Sequence, residues 1–98
     1  MPRLPIDAET LAQFCVRHHI RKLSLFGSVL KGTARPDSDV DLLVEFDAGC
    51  TPSLLRLAGM ENELSDMLGR KVDLRTPADL SRHFRDEVVR TAEVQYAA

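Results

Sequence analysis

Three aspartates stand where strand geometry could gather them. Asp39 and Asp41 are two apart in Asp39-Val40-Asp41-Leu42-Leu43-Val44, and residues i and i+2 of a strand share a face. Asp73 lies between Val72 and Leu74, which must point away from it if Arg70 to Arg75 is a strand. If the two strands are neighbours, three carboxylates converge. Like unit charges about 4 Å apart repel by roughly 4 kcal/mol at an effective dielectric near 20, so a fold keeps such a cluster when a cation neutralises it. Hard oxygen ligands on one rigid face favour Mg2+, which binds a few carboxylates and completes its shell with water and phosphate. Upstream, Gly27-Ser28 closes a short apolar segment and opens a helical turn. Free backbone N–H groups there, with the Ser28 hydroxyl, form a phosphate cradle that Gly27 lets a ligand approach closely. Lys31 and Arg35 are candidate phosphate contacts. An anion cradle beside a divalent-metal site is what nucleoside triphosphate chemistry needs.

The elements that must position these residues can be read from spacing. Asp7 to His19 reads as a helix, with Leu11, Phe14 and Cys15 on one face and acidic residues near its start. Leu23 to Phe26 reads as a short strand, and Ser28 to Gly32 as a helical turn capped by Ser28. Thr33 to Ser38 carries turn residues, and Asp39 to Phe46 is the best strand, with both faces covered in its second half. Thr51-Pro52 marks a helix start with proline at the first helical position. Leu54, Leu57, Ala58, Leu64, Met67 and Leu68 carry the stripe to a stop at Gly69. Arg70 to Arg75 is a third strand, with Lys71, Asp73 and Arg75 on one face. Leu80, Phe84 and Val88 at spacing four predict a last amphipathic helix, with Arg82, Arg85 and Arg90 off its stripe. Val94-Gln95-Tyr96 either extends this helix or adds a final strand. The order predicts an α+β fold, a small sheet covered by helices, in one domain spanning residues 1–98.

Composition narrows the function classes. The chain has 98 residues, 44% of them hydrophobic and 29% charged, so disorder and fibrous repeats are not expected. Thirteen basic against 15 acidic residues leave a formal charge of −2, which argues against tight non-specific nucleic-acid binding. The apolar run Leu42-Leu43-Val44 is far below a membrane span. Met1-Pro2-Arg3-Leu4-Pro5 has no apolar core behind it, so no signal peptide is expected. Cys15 and Cys50 make no disulfide framework, and free thiols fit a cytoplasmic location.

Leu25-Phe26-Gly27-Ser28, then Gly32, then Arg35-Pro36-Asp37-Ser38-Asp39-Val40-Asp41-Leu42 resembles the signature of the DNA polymerase β-type nucleotidyltransferase superfamily. The chain's size and Arg70-Lys71-Val72-Asp73-Leu74 resemble its minimal nucleotidyltransferases, the MNT proteins. Weaker similarity runs through Thr51-Pro52-Ser53-Leu54-Leu55 and Phe84-Arg85-Asp86-Glu87-Val88. The resemblance implies Gly27 and Ser28 at the triphosphate, Asp39 and Asp41 on two Mg2+ ions, and Asp73 as third carboxylate and base. Many relatives carry arginine after Gly-Ser, where this chain has Val29. The resemblance also implies an antitoxin paired with a HEPN-domain toxin, to whose tyrosine it transfers AMP from ATP.

Competing readings are weaker. Gly27 and Gly32 have P-loop separation, but Thr33-Ala34 stands where Lys-Ser/Thr is required. Cys15, His18 and His19 have helical spacing for a metal but lack a fourth ligand nearby. Arg82, Arg85 and Arg90 read as a solvated helix face. The expectation is a Mg2+-dependent nucleotidyltransferase acting on an acceptor hydroxyl. The alternatives are a non-catalytic antitoxin that neutralises its toxin by contact, and a transferase acting on a small molecule or RNA end. The intact carboxylate trio favours the enzyme.

Overall fold

Asp7 starts the first helix by accepting from the Thr10 backbone N–H at 3.1 Å and from its hydroxyl at 3.2 Å. The computed structural model describes residues 4–27, 32 and 39–98. Helix α1 (Ala8–Arg17) buries Leu11, Phe14 and Cys15, the face its periodicity predicts. His19, at φ 58°, turns the chain directly into β1 (Ile20–Phe26). The strand therefore starts before Leu23, and Arg21 and Lys22 belong to it. The expected helical turn from Ser28, and the turn of Thr33 to Ser38, lie outside the described residues.

The remaining strands are β2 (Val40–Phe46), β3 (Val72–Arg75) and β4 (Glu93–Ala97). They form one mixed sheet in the order β3-β2-β1-β4. β1 runs antiparallel to both β2 and β4, whereas β2 and β3 are parallel. A parallel pair needs a crossover, and helix α2 (Leu54–Leu68) supplies it. Val94-Gln95-Tyr96 is thus strand, pairing along the edge of β1 that β2 leaves free.

Two helix expectations need correction. Helix α2 is capped by Ser53, whose hydroxyl accepts from the Arg56 N–H at 3.3 Å, so Pro52 precedes the helix instead of opening it. Its buried ridge is Met60, Leu64 and Leu68, with Leu57 and Met67 at the margin. Leu54 lies before that ridge and is 83% exposed. The last helix, α3, is only Arg85–Thr91 and buries no residue fully. Before it, Asp79 accepts the Thr76 N–H at 3.1 Å, closing a 3-10 turn over Pro77–Asp79. Leu80 follows in extended conformation, ψ 145°, so Leu80, Phe84 and Val88 cannot share one helix. Leu80 is buried all the same, while Phe84 is exposed.

α1 and α2 supply Leu11, Phe14, Cys15, Met60, Leu64 and Leu68 to a core completed by Leu23, Leu25, Val40, Leu42, Val44, Val72 and Leu74. Apolar alternation therefore commits one face of β2 and β3 to the core and turns Asp41 and Asp73 to the other. Among the described residues, no helix is long and apolar enough to cross a membrane.

Candidate active site

Parallel pairing sets Asp41 directly beside Asp73, with Val40 beside Val72 and Leu42 beside Leu74. Asp39 lies one residue before β2, two before Asp41. Its carboxylate meets Lys71 Nζ at 3.8 Å, and the Val40 N–H donates to the Lys71 carbonyl at 2.8 Å. The strand readings therefore bring Asp39, Asp41 and Asp73 to one side of the sheet.

Gly27 ends β1 against this group. It has φ 79°, and a Cβ added there would lie 2.1 Å from Asp41 Oδ2 and 3.0 Å from its Cγ. Two separate constraints thus require glycine: a left-handed backbone and the room its missing side chain gives to the Asp41 carboxylate. Gly32 also has positive φ, 74°. Ser28, Val29, Lys31 and Arg35 lie outside the described residues.

The three carboxylates are not alike. The Asp41 carboxyl is pushed above the ordinary aspartate value, first by burial, then by the negative charges of Asp73 and Asp39, with Arg75 acting in the opposite direction. Asp73 is held by its own strand neighbour on the same face. Arg75 donates from Nε to Oδ1 at 3.1 Å and from Nη2 to Oδ2 at 3.2 Å, one bond to each carboxylate oxygen. This pairing holds the Arg75 guanidinium above its ordinary value.

Sequence reading placed Arg75 on the correct face but gave it no part in the site. The i, i+2 spacing of opposite charges on a strand was the available signal. Lys71, on the same face, was passed over in the same way.

Among the described residues, no group of three His, Cys, Asp or Glu side chains is gathered tightly enough to enclose a metal ion. The donor set nevertheless suits a hard cation at Asp39 and Asp41. Both offer carboxylate oxygen, and Asp41 carries like-charge repulsion from Asp73 and Asp39 that Arg75 opposes without cancelling the upward shift. Each arginine bond takes one lone pair, so Asp73 retains acceptor capacity on both oxygens for an ion or an acceptor. Cys15, His18 and His19 belong elsewhere: Cys15 is fully buried, and His18 packs at a tilt against the Phe14 ring and meets Glu63 at 3.3 Å.

Comparison with known proteins agrees with the fold. The sequence matches the nucleotidyltransferase domain family over residues 8–96. It is 40% identical over 80 residues to protein adenylyltransferase MntA of Thermococcus cleftensis, spanning 82% of this chain and 77% of that protein. A solved structure provisionally described as a minimal nucleotidyltransferase is 40% identical and superposes with a TM-score of 0.66, over 90% of this chain and 95% of the other. The fold also matches a toxin–antitoxin crystal structure containing AMP-PNP, with a TM-score of 0.75 at 20% identity, over 95% of this chain and 75% of that one. The α+β architecture, a mixed four-stranded sheet with its helices, is that of minimal nucleotidyltransferases, and the chain belongs to the nucleotidyltransferase domain family.

Proposed function

We propose that this enzyme transfers AMP from ATP to a hydroxyl of a partner protein, a tyrosine of a HEPN-domain toxin, and so acts as the antitoxin. The observation that carries the reading is the side-by-side placement of Asp41 and Asp73, with Gly27 leaving room at the Asp41 carboxylate. The name of the Thermococcus relative and the toxin–antitoxin setting of a structural neighbour support the partner class. A protein acting by contact alone has no use for a like-charge cluster, which favours enzyme over binder.

In this reading Asp39 and Asp41 would hold Mg2+, two ions by family resemblance, with Asp73 as third carboxylate. When bound, the ions supply charge neutralisation for the triphosphate and its leaving pyrophosphate. The Gly27 backbone and the Ser28 hydroxyl hold the triphosphate. Asp73 accepts the proton of the acceptor hydroxyl. The hydroxyl oxygen bonds to the α-phosphorus as the bond from phosphorus to the pyrophosphate oxygen breaks, and pyrophosphate leaves.

The test incubates the HEPN partner with ATP, Mg2+ and either wild type or Asp73→Asn, then reads the partner's mass and its co-purification. The expected result is one added AMP with wild type, and binding without modification with Asp73→Asn. Neutralisation of the partner by wild type with no change in its mass would overturn the catalytic reading.

A further inference from the structure

Among the described residues, β3 is four residues long, lies at the edge of the sheet and pairs with β2 alone. Short edge strands fray readily, yet this one carries Asp73. Its outer N–H groups are not left to water. The Val72 N–H donates to Ser65 Oγ at 2.9 Å, and the Leu74 N–H donates to Glu61 Oε2 at 2.7 Å. Glu61 and Ser65 stand one helical turn apart on α2, and the Ser65 hydroxyl donates to the Glu61 carbonyl at 2.8 Å. The two anchors flank Asp73, one residue on either side.

We propose that Glu61 and Ser65 are positioning residues for Asp73. They extend the hydrogen bonding of β3 on the side away from β2 and so fix the strand's height and roll. On a strand, a small roll about its axis swings every side chain on the opposite face. Holding Val72 and Leu74 therefore holds the Asp73 carboxylate in line with Asp41. A carboxylate acceptor makes the Leu74 bond charge-assisted and short. Glutamine at 61 keeps an acceptor oxygen and alanine does not, so the two variants separate the hydrogen bond from the charge.

The inference rests on the catalytic reading of Asp73, and the experiment separates the two. Amide exchange at Val72 and Leu74 is measured in wild type, Glu61→Ala, Glu61→Gln and Ser65→Ala, alongside Mg2+-dependent affinity for AMP-PNP and the transfer kcat and KM. Asp73→Asn is assayed for transfer in parallel.

The expected result for Glu61→Ala is faster exchange at Leu74 and a kcat lowered about tenfold or more, the scale of a sub-ångström misplacement. KM for ATP and AMP-PNP affinity should be unchanged, and Glu61→Gln should restore both exchange and kcat. Ser65→Ala should act in the same direction, read at Val72. Unchanged exchange at Leu74 in Glu61→Ala would overturn the anchoring. Faster exchange with full kcat, while Asp73→Asn is inactive, would overturn the positioning role alone. Full transfer by Asp73→Asn would instead remove the catalytic reading of Asp73, and the positioning role with it.

Discussion

Replacing Gly27 by alanine tests the site without replacing a carboxylate. The added Cβ would start 2.1 Å from Asp41 Oδ2, 3.0 Å from Cγ and 3.2 Å from Cβ. Ordinary non-bonded contact begins at about 3.5 Å, so the oxygen must retreat by more than about 1 Å. Rotation of the carboxylate relieves the clash only by moving the atom proposed to bind metal. A displacement of about 1 Å in a positioned group can cost about 100-fold in rate. The backbone adds its own penalty, because φ 79° puts an L-residue in the left-handed region, at about 1–2 kcal/mol. For a domain of this size that is a Tm lowered by roughly 4–16 °C. Gly69→Ala separates the two effects. Gly69 has φ 68°, and a Cβ there meets nothing within 4 Å. Both variants should lose stability by thermal melting, Gly27→Ala the more because of its added clash, but only Gly27→Ala should lose transfer, by about 100-fold. If Gly27→Ala transfers as fast as Gly69→Ala, the close approach at Asp41 has no part in catalysis.

Other expectations follow from the same structure. The raised Asp41 pKa means that this group favours the folded state when protonated, below the ordinary aspartate value, and loses that contribution as pH rises through its folded value. In EDTA, Asp41→Asn should therefore melt higher than wild type at neutral pH, with the difference closing as the solution is acidified. An advantage that persists at low pH would refute the charge explanation. Adding Mg2+ should raise the melting temperature of wild type and leave Asp41→Asn where it was, since only a bound ligand shifts the equilibrium. Burial pushes the Cys15 thiol up to about 12, so a maleimide at neutral pH should modify Cys50 quickly and Cys15 only on unfolding, as peptide mass mapping will read. Ser53→Ala removes the cap of α2 and should cost about 1 kcal/mol in denaturant titration, with activity retained.

Local periodicity made much of this protein legible before any coordinates. The α1 stripe of Leu11, Phe14 and Cys15, and the i, i+2 placement of Asp39 and Asp41, depend only on the geometry of one element. Asp73 needed one assumption, that its strand neighbours β2, and the register bears it out. The final helix was misplaced because Leu80, Phe84 and Val88 fit a helical stripe as spacing alone. The bond from the Thr76 N–H to Asp79, with the extended Leu80, makes a 3-10 turn instead. Local side-chain bonds of this kind compete with helix. Glu61 and Ser65 were invisible as anchors, since their partners lie thirteen and seven residues away, respectively, on a strand edge. Their spacing on α2 says only that they share a helix face.

The central claim is nucleotidyl transfer by the carboxylates of β2 and β3, and the position of the transferred phosphorus tests it most directly. Wild type, Asp39→Ala, Asp41→Asn and Asp73→Asn are each incubated with the HEPN partner, Mg2+ and ATP labelled at either the α- or the γ-phosphate. The account predicts label on the partner from α-labelled ATP with wild type alone, none from γ-labelled ATP, and folded but inactive variants. Label from γ-labelled ATP, or α-label transferred undiminished by the Asp41 variant, would contradict it.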